Sequence, residues 1–112
     1  MTTDVFMQYY SAELTWNGVV RRGAAVRLTA DSEAGQIVYT ASVSFFPHAS
    51  DDDFSVSYDA YFEKELYRAA GRRSKKREAA FLEMLPTVID ELAEAAGGRV
   101  LWDRPLGEAR RG

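Results

Sequence analysis

Five of the six residues at 72–77 are cations: Arg72, Arg73, Lys75, Lys76 and Arg77. A cluster of this kind binds rather than catalyses, because guanidinium and ammonium groups donate to phosphate or carboxylate oxygens and keep their protons near neutral pH. Ser74 lies inside it and is a good helix N-cap, so Lys75, Lys76 and Arg77 fall on a first helical turn, where the helix dipole already places positive charge. Two readings follow. Either the cluster contacts a phosphate or an acidic partner, or it is a solvated segment balanced by Glu78 and by the acidity of the rest of the chain. That acidity is considerable: the net charge is −3, and without these five cations it stands at −8.

Catalytic chemistry has little to draw on. His48 is the only histidine, and although Ser50 is near it, no strained Gly-x-Ser-x-Gly turn surrounds either residue. His48 is expected in a solvated loop. Asp51, Asp52 and Asp53 offer oxygen ligands to a hard cation, but they lack the alternating spacing of an EF-hand loop, and adjacent side chains on an extended chain point apart. The absence of cysteine removes disulfides, thiolate catalysis, thiolate zinc sites and iron–sulfur clusters. No Gly-x-x-x-x-Gly-Lys-Ser/Thr loop is present to cradle phosphates. Glu63, Glu65 and Glu78 are expected on solvent faces rather than paired across a substrate. Neither metal nor cofactor is expected, and the chain reads as a non-enzyme.

The elements that position these residues are legible from periodicity. Asn17-Gly18 supplies the two positive φ values of a type I′ turn. It is flanked by Tyr10, Ala12, Leu14 and Trp16 on one side and by Val20, Ala24, Val26 and Leu28 on the other, so residues 9–28 form a hairpin. A longer turn is expected over residues 30–35. Ile37, Tyr39, Ala41, Val43 and Phe45 then alternate in a third strand that Pro47 ends. After a polar, acidic loop, Phe54, Val56, Tyr58, Ala60 and Phe62 alternate in a fourth. Residues 63–73 fit a short helix and an extended strand equally well. Beyond Ser74, Phe81, Leu85, Val88, Leu92 and Ala95 or Ala96 form the stripe of an amphipathic helix, with a kink expected before Pro86 and a stop at Gly97-Gly98.

The resulting architecture is α+β: a four-stranded antiparallel meander covered on one face by a C-terminal helix, ββββα, with a short extra edge strand at residues 100–102. Residues 1–102 make one domain and residues 103–112 a frayed tail. Such a sheet is apolar towards the helix and polar on its other face, where Tyr9, Arg21, Arg27 and Tyr61 are expected. Arginines and tyrosines on an open sheet stack nucleobases in single-strand binders, and equally serve cross-strand pairing. In element order the chain is similar to the PUR-type and Whirly single-stranded nucleic-acid binders, a resemblance of topology that would imply nucleic acid as the ligand. The reading favoured by the residues themselves is a protein-interaction module, regulatory or inhibitory, able to self-associate through a sheet edge or helix. Nucleic acid bound by the 72–77 cluster and the open sheet face is the alternative. No membrane-span-length apolar run and no signal-peptide pattern are seen, and the lack of cysteine favours a reducing compartment, so a cytoplasmic location is expected.

Overall fold

The structure, a computed structural model, describes residues 1–47 and 60–106 and the backbone of Arg110 and Arg111. Two long strands, β1 (Thr2–Trp16) and β2 (Val19–Glu33), meet at the Asn17-Gly18 turn, whose φ values of 51° and 76° are those a type I′ turn requires. Strand β3 (Gln36–Phe46) follows β2 after Ala34-Gly35 alone, in place of the longer turn expected from residues 30–35. Both turn residues have positive φ, 53° at Ala34 and 77° at Gly35, and an alanine there hides the turn from sequence reading. Strand β4 (Tyr61–Ala70) pairs with β3, helix α1 spans Lys75–Ala95, and β5 (Arg99–Pro105) returns to the free edge of β1. A two-residue strand β6 (Arg110–Arg111) pairs with Phe6 and Met7. All neighbours are antiparallel and the order is β4-β3-β2-β1-β5, with β6 also on β1.

The fold is thus the expected four-stranded meander with one C-terminal helix and an added edge strand. Its details shift. The ambiguous stretch at 63–73 is mostly strand, while Phe54, Val56 and Tyr58 lie outside the described residues. Leu66 is an extra residue in β4, since Tyr67 stands opposite Tyr39 but Glu65 opposite Thr40. That bulge reverses the alternation midway and obscures the strand's period. Strand β5 runs three residues past the expected domain limit of 102, and Leu106 donates its backbone N–H to the Tyr9 carbonyl.

Helix α1 ends as the two glycines predict. Gly97 takes φ 87°, its N–H reaches the Glu94 carbonyl, and the Gly98 N–H reaches that of Ala93, the paired bonds of a Schellman motif. Helical assignment is continuous through Pro86, whose ring faces outward at an exposed position. The buried face differs by one position from the expected stripe. Leu85, Val88, Ile89 and Ala93 are buried together with Glu78, whereas Phe81 and Leu92 are only half-buried. Against them lie Val26 and Leu28 of β2, Ile37, Tyr39, Val43 and Phe45 of β3, and Leu14 of β1.

Ile89→Ala should therefore cost about 2–5 kcal/mol of unfolding free energy, and Leu92→Ala clearly less, when both are measured by urea denaturation. At the β2–β3 turn, Ala34→Asn should stabilise by about 0.5–1 kcal/mol, because asparagine accepts positive φ more readily than alanine. A fall in denaturation midpoint for that variant would contradict the turn geometry.

Candidate functional site

The cationic cluster divides on folding. Ser74 caps α1, its Oγ accepting from the Arg77 N–H at 3.3 Å. Arg73 turns back onto Glu78 in a two-bond fork, Nε to Oε2 at 2.9 Å and Nη2 to Oε1 at 2.8 Å. The same carboxylate accepts the Tyr39 hydroxyl at 2.6 Å, and that hydroxyl in turn accepts the Ser74 N–H at 3.1 Å. Arg77 stacks its guanidinium over the Tyr67 ring, 4.2 Å from the centroid. Two of the five candidate contacts are thus engaged in the fold itself, Arg73 while still partly exposed, and Arg72, Lys75 and Lys76 are the exposed cations outside these two contacts. Glu78, expected on a solvent face, is 7% exposed. It is the acid that offsets three cations on the first helical turn.

Strand register assembles a second feature on the sheet face away from α1. Opposed residues form cross-strand rows. One row runs Glu63, Ser42, Arg27, Met7; the next runs Glu65, Thr40, Thr29, Asp4; a third runs Arg68, Val38, Asp31, Thr2. These rows, Met7 excepted, line a trough of about 640 Å³ that ends at the β2–β3 turn with Glu33 and Gln36. Its lining carries five carboxylates, Asp4, Asp31, Glu33, Glu63 and Glu65, against two guanidinium groups, Arg27 and Arg68. Arg68 is held by Glu65 through bonds of 3.1 and 2.7 Å, and the Met1 amino group lies 3.2 Å from Asp31. Asp4, Glu33 and Glu63 have no ion pair among the described residues. Tyr61 donates its hydroxyl to Glu63 at 2.8 Å, and burial followed by that bond raises the hydroxyl's pKa above its ordinary value.

The other half of this face is closed. Met7, Ala25 and Phe46 are buried, and the Phe46 ring covers Gly23 so tightly that a Cβ there would come within 2.2 Å of it. Tyr9 meets the same ring edge-on at 5.9 Å. Of the four expected face residues, Arg27 and Tyr61 line the trough, Tyr9 is half-buried beside Phe46, and Arg21 is 0% exposed and cannot be a surface contact. The alternation that placed Arg21 on an open face carries no information on what covers that face. The acids of the trough were missed because they come from three strands, β1, β2 and β4, and no sequence interval relates them. His48, Asp51, Asp52 and Asp53 lie outside the described residues. Among the described residues no three acidic or histidine side chains are close enough to share a metal ion, and no helix is long and apolar enough to cross a membrane.

The Arg73 fork, reinforced by the Tyr39 hydroxyl, lowers the Glu78 pKa below its ordinary 4.5 against the opposing effect of burial. A carboxylate with a depressed folded pKa contributes stability that is present above its unfolded value and is lost as pH falls through the folded one. Glu78→Gln should lower stability at pH 7 by about 1–3 kcal/mol, the partial exposure of Arg73 keeping it below a fully buried pair, and should flatten the loss of stability below about pH 4.5. Chemical denaturation across pH 2.5–8 reads both effects. Set against protein-family models, curated proteins and solved structures, the chain finds no match.

Proposed function

We propose that this chain is a non-enzymatic protein-interaction module that docks a cationic protein segment in the trough of its sheet. The observation that carries this reading is the charge of a concave surface: five carboxylates against two guanidinium groups, spread over three strands, β1, β2 and β4. Because no three of them converge on one point, they suit an extended chain of separate positive charges rather than a single ion. A small regulatory or inhibitory role fits a domain of 112 residues with this face on offer. The nucleic-acid alternative draws on Arg72, Lys75 and Lys76, but the sheet face assigned to it is acidic and repels a polyanion. The proposed cytoplasmic placement draws on the cysteine-free composition together with the lack of a span-length apolar run or signal-peptide pattern in the sequence.

A fluorescein-labelled peptide alternating lysine with serine should bind the wild-type protein in low-salt buffer. Neutralising the unpaired acids with Asp4→Asn, Glu33→Gln and Glu63→Gln together should weaken binding about tenfold, at ~0.5 kcal/mol per exposed charge pair. Neutralising three helix acids instead, Glu83→Gln, Glu91→Gln and Glu94→Gln, should leave it unchanged. Equal losses from both triple variants, or tighter binding of a single-stranded DNA 20-mer than of the peptide, would overturn the reading.

A further inference from the structure

We propose that β4 is a homotypic docking edge, on which a second copy of this chain lays its own β4 antiparallel, with Glu65 opposite the copy's Arg68 and Leu66 opposite its Tyr67. Nothing in this contact depends on what the trough binds. The two edges of the sheet are finished differently. At β1, strands β5 and β6 cover the outer backbone groups. At β4, ten residues long, β3 takes one side and no strand takes the other among the described residues. An edge of that length keeps a row of N–H and C=O groups open to another strand.

The side chains of β4 select the strand. Charges on an edge normally deter pairing, but these sum to zero: Glu63 and Glu65 against Lys64 and Arg68. A purely cationic strand gains at the acids and loses at the bases. A copy in the stated register sets no like charges opposite one another, because Glu65 faces Arg68, Glu63 faces Ala70 and Lys64 faces Ala69. The bulge supports the same register. A regular strand has one residue to set against Leu66 and Tyr67, as β3 has Tyr39. A copy has the same two, so Leu66 meets Tyr67 twice about a two-fold axis and the alternation of both strands stays in step on either side. Both residues are half-buried against the core, and pairing removes more of their apolar surface from water. Each Glu65, bonded to Arg68 of its own chain at 2.7 Å, gains a second guanidinium. The axis stands perpendicular to the sheet, so the two troughs open on the same side.

Sedimentation equilibrium tests this at up to about 200 μM protein, a range suited to a small edge contact, and wild type should reach the mass of two chains. Glu65→Lys and Arg68→Glu each set like charges opposite one another twice, and each should weaken self-association at least about tenfold. Both positions are exposed, so denaturation midpoints should barely move. Mixed one to one, the two single variants should associate with each other about as tightly as wild type does with itself, because each strand then supplies the charge the other lacks. A wild type that stays monomeric, a dimer indifferent to both variants, or variants that remain apart when mixed would each overturn the β4 contact. The peptide titrations of the trough stand or fall separately, since no peptide enters this experiment.

Discussion

The Tyr39 hydroxyl sits where three separate requirements meet. A phenol at the bottom of a core needs a polar partner, a helix start leaves backbone N–H groups unpaired, and a run of cations on a first helical turn needs a nearby acid. One arrangement answers all three: the hydroxyl accepts from Ser74, donates to Glu78, and Glu78 takes the Arg73 fork. Because Tyr39 belongs to the first half of β3 and Ser74 caps α1, this junction fixes where the helix lands on the sheet. Ile89 and Ala93 then reach the core because their distance along α1 from Glu78 keeps them on the same face.

With α1 committed to one face, the other face is free to differ from end to end. Aromatic and aliphatic side chains close it at Met7, Ala25 and Phe46, and short polar ones leave it open around Thr29, Thr40 and Ser42. The change occurs within two residues on β2, between Ala25 and Arg27. Gly23 makes the closed end possible, since only a residue without a side chain admits the Phe46 ring above the strand. The open end has a floor of hydroxyls and a rim of carboxylates, with a rigid sheet beneath them.

Local chemistry was legible in the chain wherever one residue type forces one geometry. Asn17-Gly18, the Ser74 cap, the Gly97-Gly98 stop and the alternation from Ile37 to Phe45 all appear in the structure as their residues dictate. What escaped depended on partners distant in sequence. Leu66 bulges and scrambles the period of β4. Ala34 adopts a conformation foreign to alanine, so a two-residue turn looked longer. Glu78 occupies the helix's buried stripe, seven residues before Leu85, and that spacing was the available sign of its burial. The cationic cluster was legible as a cluster, but its division into structural and exposed members depends on Tyr39 and Tyr67, contributed by other strands. The trough exists only through register, which periodicity alone does not supply.

Chain connectivity also orders the assembly of the molecule in time. Strands β1 to β4 each pair with their sequence neighbour, so hairpin closure suffices to build most of the sheet. Strand β5 is different: Glu13 pairs with Arg99, a link of 86 residues that spans the whole of α1. Until that segment arrives, β1 is an unprotected edge with a full row of open backbone groups, the kind of surface that recruits strands from other molecules. The nascent chain therefore passes through an interval in which one of its two longest strands is available to the wrong partner, and the ion pair between Arg99 and Glu13 marks the register at which that interval ends.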